Sequence, residues 1–411
     1  MALNYLFLLF ILGGVLFGVV TALFSNRPDV FQQIVTAIFD QSTNAIQITI
    51  TLTGVLCFFM GLMKVAERSG AMERLAVKIS PLLSMLFPSI PKGHPVLSSI
   101  FMNLSANLLG LDNAATPLGL QTMKQLQGIN PNKGTASDAM IMFIALNASG
   151  LTIIPISIIA FRLEAGATNP TDVFLPILLA TLASTLTAIT LIALKQKINL
   201  LQKPFLFLLG FIALLIAGVV VLRNSLSSEV FALYTTMFAA LLLLAIISLI
   251  FIRGIRAKIN VYDAFVDGAK EGIGTAVKIV PYLLAMLVAI GVFRASGGMD
   301  VVIEAVRWLF SLIGVRTDWI EALPTMLMKP LSGNGARALM VDAMHTFGAD
   351  SLVGRLASIV QGSTDTTFYI IALYFGSIGV KKIRYTVGVS LLADLVGAIA
   401  AIVITYLFFT L

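Results

Sequence analysis

Residues 138–163, DAMIMFIALNASGLTIIPISIIAFRL, and residues 352–378, LVGRLASIVQGSTDTTFYIIALYFGSI, decide the fold. Each is apolar for long enough to cross a hydrocarbon core of about 30 Å, which takes about 20 helical residues. Each also carries a run that suits no continuous membrane helix. In the first it is Asn147-Ala148-Ser149-Gly150, with Thr152 and Pro155 beyond; in the second it is Gln361-Gly362-Ser363-Thr364-Asp365-Thr366-Thr367. Irregular backbone is tolerated at bilayer depth only where protein or a water-filled cavity satisfies it. Both stretches therefore read as membrane helices unwound in the middle.

The rest of the chain agrees. Of 411 residues, 58% are hydrophobic and 11% charged, with mean hydropathy +0.98; an ordinary soluble domain is roughly 25% charged. Long apolar segments fall at about 1–25, 45–63, 138–163, 171–194, 204–223, 229–252, 275–293, 352–378 and 385–409. Between them, 95–127 and 319–347 are apolar but too broken by Pro and Gly for two full crossings, and read as re-entrant hairpins. The expected class is an all-α integral membrane protein, with about nine transmembrane helices plus two re-entrant helical hairpins. Residues 2–24 lack the basic flank and cleavage site of a secretory signal and read as a retained helix. The single Cys57 excludes an intramolecular disulfide.

Basic residues set the expected orientation. With the N-terminus in the cytoplasm, the clusters around Lys64–Lys78, Lys195–Lys203, Arg253–Lys258 and Lys381–Arg384 fall inside, while Arg27, Arg162, Arg223, Arg294, Arg307 and Arg316 fall outside. That is the positive-inside pattern. It explains the pI near 9.5 without nucleic acid, and nine crossings then put the C-terminus outside. A bacterial cytoplasmic (inner) membrane is the expected location.

The chain repeats itself. Ser69-Gly70-Ala71-Met72 recurs as Ser296-Gly297-Gly298-Met299, and Leu104-Ser105-Ala106-Asn107 recurs at the same offset as Leu331-Ser332-Gly333-Asn334. Residues 1–196 read as one copy, 197–227 as a linker holding one transmembrane helix, and 228–411 as the second copy. Four spans per copy and one between them give the copies opposite topology. Inverted-topology repeats of this kind let a central site face one side and then the other.

Polar groups inside apolar segments mark where a site would sit. The first hairpin offers Asn103, Ser105, Asn107, Asp112, Asn113 and Thr116; the second offers Ser332, Asn334 and Arg337. The helix breaks add Asn147 and Ser149, then Gln361, Ser363, Thr364, Asp365 and Thr366. The amides and hydroxyls, with Arg337, are the candidate substrate ligands. Asp112 and Asp365 are the candidate groups for a coupling sodium ion or proton. Helix N-termini together with Arg337 suit a carboxylate or phosphate. His94 and His345 stand apart with no His/Cys ligand set, so no metal site is expected. No Walker A loop or dinucleotide fingerprint is present, and no nucleophile has a base beside it in sequence. Neither ATP-driven transport nor an enzyme is expected, and no cofactor beyond a coupling Na+ or H+. Expected partners are the lipid bilayer and a small solute, with a homodimer compatible.

Residues 61–67 (GLMKVAE), Ser69-Gly70, 113–119 (NAATPLG) and Asn147 resemble spore maturation protein A. Pro281-Tyr282-Leu283, 293–297 (FRASG) and 355–367 (RLASIVQGSTDTT) resemble spore maturation protein B. The chain as a whole is similar to a fusion of the two, within the nucleoside-recognition or Gate group, which is similar in plan to concentrative nucleoside transporters. The resemblance implies paired hairpins and broken helices, with substrate roles for Asn107, Asn147, Asn334 and Gln361. The family does not settle the substrate; the inverted repeats and the polar groups around Arg337 give the expectation, secondary transport of a small polar or anionic solute, nucleoside-like or a carboxylate, by alternating access. The competing expectations are a membrane scaffold or assembly factor of envelope or spore maturation, and a channel-like pore.

Overall fold

The computed structural model describes residues 2–24, 28–91, 93–108, 112–153, 155–312, 314 and 316–410. Asp112 and Asn113 are described by backbone only; their side chains, on which two of the site expectations fall, lie outside the described set.

The chain opens with α1 (Ala2–Phe24) and α2 (Val30–Arg68). The apolar segment 45–63 is only part of α2, a helix of 39 residues. Residues 30–44 are too polar to score as a span, yet Val30, Ile34, Ala45, Ile48, Leu52, Leu56 and Phe59 form one buried stripe at helical spacing. Ser69 and Gly70 then turn the chain, with Gly70 at φ 69°, into amphipathic α3 (Ala71–Leu86). The first hairpin follows as α4 (Pro95–Leu108) and α5 (Asp112–Ile129), and the first interrupted span as α6 (Asp138–Ala148) and α7 (Ile156–Glu164).

Next come α8 (Phe174–Gln196), α9 (Lys203–Ser225), α10 (Ser228–Arg256) and α11 (Val261–Ala295). The turn at Ser296 and Gly297, φ 83°, leads into α12 (Gly298–Ser311). Both turns are built alike: Ser69 Oγ donates to the Ala66 carbonyl at 3.0 Å and Ser296 Oγ to the Phe293 carbonyl at 2.8 Å. A 3-10 turn (Ile320–Ala322) runs into α13 (Leu323–Met328), which forms the second hairpin with α14 (Gly333–Phe347). The second interrupted span is α15 (Leu352–Ser363) and α16 (Thr367–Ser377), and α17 (Thr386–Phe409) is the last helix.

This is an all-α integral membrane protein. Seven described helices, α1, α2, α8, α9, α10, α11 and α17, are long and apolar enough to cross a membrane. The other two expected spans are the broken pairs α6–α7 and α15–α16. On α9, Phe207, Phe211 and Leu214 are exposed, as are Leu233, Leu241 and Leu244 on α10. Contiguous apolar surface of this kind is made for acyl chains rather than water.

One expectation needs correcting. The common offset of the repeated strings pairs Ser105 and Asn107 with Ser332 and Asn334, but the first pair lies near the end of α4 and the second pair at the start of α14. The second helices of the two hairpins start at Asp112 and Gly333. The stretch from Gly70 to Asp112 is longer, by more than a helical turn, than the stretch from Gly297 to Gly333. The additional residues precede the first hairpin tip, so the Leu-Ser-small-Asn likeness is coincidental in structural terms. A shift of this size exceeds the one or two residues by which helix boundaries fluctuate. Aligned on the starts of α5 and α14, the hairpins pair Asn113 with Asn334 and Thr116 with Arg337.

The helices form two compact units, each drawn from both sequence halves: residues 1–59, 157–170 and 269–361, and residues 60–156, 171–268 and 362–411. In the first unit, Phe293 of α11 packs against Phe10 and Phe17 of α1, with ring centroids 5.3 and 5.9 Å apart. Gly14 admits this contact, because a Cβ there would lie 2.8 Å from Val292 Cγ1. In the second unit, α8 and α17 run antiparallel: Gln196 at the end of α8 donates to the Tyr385 hydroxyl at the start of α17, 3.0 Å, and Ser184 lies against Gly397. Their facing stripes are small and buried: Thr181, Ser184, Thr185 and Ala188 meet Ser390, Ala393, Gly397 and Ala401. Small residues let membrane helices approach closely.

Candidate functional site

In the second unit the first hairpin, both helix breaks and α8 converge. Asn103, fully buried on α4, donates from Nδ2 to the Ala115 carbonyl of α5 at 2.7 Å and so ties the two arms of the hairpin. One turn later Asn107 donates to Asn147 Oδ1 at 2.8 Å. Asn147 in turn donates to the Phe143 carbonyl at 2.8 Å, and the Tyr374 hydroxyl of α16 approaches its Oδ1 at 3.5 Å. One amide at the end of α6 therefore gathers a hairpin and both interrupted helices.

The break after α6 is satisfied by protein, as bilayer burial requires. The Ala148 carbonyl accepts the Asp365 N–H at 2.8 Å, and the Leu108 carbonyl accepts the Ile153 N–H at 2.9 Å. The Ser149 carbonyl and hydroxyl accept from Thr181 and Thr185 of α8, at 3.2 and 3.0 Å. Only glycine fits at 150: its φ is 63°, and a Cβ would stand 2.7 Å from the Asp365 nitrogen. The two breaks thus cross in direct backbone contact. Beyond the crossing, Asp365 is exposed and its Oδ1 accepts the Thr366 N–H at 2.6 Å, while Ser363, Thr364 and Thr366 are buried. Ser105 is fully buried and its Oγ has no partner among the described residues. Thr116 is half-buried on α5.

The remaining candidates lie in the first unit. Ser332 caps α14, its hydroxyl accepting the Gly335 N–H at 3.0 Å. Gln361 Nε2 reaches the Gly333 carbonyl at 3.4 Å, while its Oε1 is buried with no hydrogen-bond partner among the described residues. Arg337 contacts Asn334 Oδ1 at 3.4 Å and lies over the Phe161 ring, 5.8 Å from its centroid. This is a second cluster of amide and guanidinium groups at a hairpin tip, beside the end of α15. The structure therefore sorts the candidates into two groups: Asn103, Ser105, Asn107, Thr116, Asn147, Ser149, Ser363, Thr364, Asp365 and Thr366 in one unit, Ser332, Asn334, Arg337 and Gln361 in the other.

Sequence reading missed several neighbours. Thr181 and Thr185 carry a signal in hindsight, since they belong to a stripe of small and hydroxyl residues at helical spacing. Arg162 does not: it is fully buried on α7, donating to the Ala349 carbonyl at 2.7 Å and to Asp350 Oδ1 at 3.0 Å, across 188 positions of sequence. Asp350 Oδ2 also accepts the Thr168 N–H at 2.8 Å.

The family model for Gate, nucleoside recognition, matches residues 49–166 and 276–381, more than half of the chain, in two stretches whose starts are spaced as the two Ser-Gly turns are. Each stretch contains one hairpin and most or all of one broken helix. The chain is 46% identical to spore maturation protein B of Bacillus subtilis (strain 168) over 164 residues, which is 40% of this chain and 90% of that protein. It is 42% identical to spore maturation protein A of the same organism over 171 residues, 42% of this chain and 87% of that protein.

Proposed function

The chain belongs to the Gate, or nucleoside-recognition, family, and from that premise we propose that it is a secondary transporter of a small polar or anionic solute. The observation that carries the reading is the crossing of the two breaks, where the Ala148 carbonyl meets the Asp365 N–H beside the Asn107–Asn147 amide pair. Broken helices whose backbone is satisfied within the protein are the elements that build solute sites in membrane transporters. In the second unit amides and hydroxyls donate and accept, as a nucleoside-like solute requires; in the first unit, taken by itself, Arg337 supplies charge for a carboxylate. Coupling to sodium or protons, with the site facing each side in turn, fits a chain matched twice by one family.

The proposed setting is a bacterial cytoplasmic membrane, N-terminus inside and C-terminus outside, which the basic clusters at Lys195–Lys203, Arg253–Lys258 and Lys381–Arg384 support. The deciding experiment is uptake into liposomes holding the purified full-length protein, under imposed sodium or proton gradients, with nucleosides and small carboxylates as solutes. Saturable uptake is expected, and its loss in Asn107→Ala/Asn147→Ala and in Asn334→Ala/Gln361→Ala. Folded protein that moves none of them overturns the transport reading in favour of a membrane scaffold.

A further inference from the structure

An ionisable group outside the two clusters lies deep in the second unit. Asp394 is only 7% exposed and belongs to α17, one of the helices long and apolar enough to span. At 1.5 Å per residue it lies about 12 Å from the start of that helix, well inside a hydrocarbon core of about 30 Å. A carboxylate at that depth is costly and by default marks function.

Its surroundings are oxygen-rich for a membrane interior. Asp394 shares the buried stripe of α17 with Ser390, one turn before it, and Gly397, one turn after it. The antiparallel register, with Gln196 at Tyr385 and Ser184 at Gly397, sets this stripe against the hydroxyl face of α8. Ser184 and Ser390 are 0% and 1% exposed, and neither hydroxyl has a hydrogen-bond partner among the described residues. Buried polar atoms are almost always paired, so two orphan hydroxyls on the stripes beside one buried carboxylate are ligand groups in waiting. The stripe also touches the helix crossing: a Cβ at Gly397 would lie 3.0 Å from Thr364 Cγ2 and 3.2 Å from Ser184 Cβ.

We propose that Asp394 is a monovalent-cation site between α8 and α17 that binds the coupling ion, a proton or sodium, with the Ser390 hydroxyl one turn before it as a neutral-oxygen ligand and the Ser184 hydroxyl bordering the site one turn beyond it. This deepens the transport reading and rests on it for the ion's role. Asp394 supplies the charge and Ser390 a neutral oxygen, the ligands a hard cation takes. Thr364 places the occupied site one helical turn from the break, so binding there is felt where solute is held. Asp365, exposed at the crossing, then has the lesser role of holding the turn that leads into α16 through the Thr366 N–H.

The test does not need transport. Full-length protein in liposomes is treated with dicyclohexylcarbodiimide, an apolar reagent that modifies carboxyl groups within membranes, and the adduct is mapped by mass spectrometry across sodium concentration and pH. Modification of Asp394 that sodium suppresses supports a sodium site. Modification that sodium leaves alone and rising pH suppresses supports a proton site. Ser184→Ala and Ser390→Ala are expected to weaken the suppression by sodium, or to shift the pH at which it occurs. An Asp394 that goes unmodified, or is modified alike under all conditions, overturns the proposal. Gradient-driven uptake by Asp394→Asn, measured alongside, is expected to be lost. If the unaltered protein moves no solute while Asp394 is still protected by cation, the transport reading fails and the site stands.

Discussion

Gly150 shows how much depends on one missing methyl group. Its left-handed backbone and the 2.7 Å from a would-be Cβ to the Asp365 nitrogen make Gly150→Ala strained twice over. The expected cost is about 1–3 kcal/mol, read as a lower melting temperature in detergent, while Gly128→Ala, with open space around it, should raise or barely change it. Asp350 offers a pH test in a loop outside the membrane spans. Burial pushes its carboxyl up, but the Thr168 N–H and the guanidinium groups of Arg355 and Arg162 outweigh that and hold it below the ordinary carboxylate value. A depressed carboxyl contributes stability that is present above its unfolded pKa and is lost as pH falls through the folded one. Acid melting curves should therefore show a loss below about pH 4 that is smaller in Asp350→Asn, even though that variant is the less stable one at neutral pH. The Arg162–Asp350 pair was not visible in sequence, because its members are far apart along the chain and each looks like an ordinary flanking charge.

Helices were more legible than single residues. Hydropathy located the long spans, and Asn, Ser, Gly and Pro located both breaks, because interruption of an apolar run is a local property. What it could not give was the length of α2, whose polar first third is held by a buried stripe, or the register of the hairpins, which the longer lead into the first tip displaces. Asp394 escaped for the opposite reason: one acidic residue in an otherwise uninterrupted apolar helix leaves no break to notice. The contact between hairpin and interrupted helix is testable by a double-mutant cycle. Asn107→Ala and Asn147→Ala should couple by about 0.6 to 1.7 kcal/mol, the range for hydrogen bonds between membrane helices, against near zero for Asn107→Ala paired with Thr187→Ala. Close approach of α8 and α17 is equally exposed to test. Gly397→Leu should cost about 1–3 kcal/mol by overpacking, and a compensating Ser184→Ala should restore only part of it.

For the whole molecule, composition alone settled that the chain lives in lipid, and the recurring Ser-Gly turn foreshadowed the two stretches matched by one family. The proposed orientation is open to a direct check: a reporter active only outside the cytoplasm, joined after the last residue, should be active, and one inserted between Lys197 and Lys203 should be silent. Reversal of that pattern would overturn the orientation while leaving the helices as they are.

The crossing of the breaks also has a consequence for how the protein is made. The Ala148 carbonyl leaves the ribosome long before the Asp365 amide that it accepts, with about half of the chain synthesised in between. At about 5–20 residues per second, roughly 10–40 seconds of synthesis separate the two partners. For that interval the unwound end of α6 is without one of its partners, in a chain whose earlier helices have already been handed to the membrane. Nascent chains stalled before residue 365 should accordingly be more open to proteases and to the insertion machinery than the finished protein, and the segment from Asp365 onward acts as the closing step of assembly rather than as its tail.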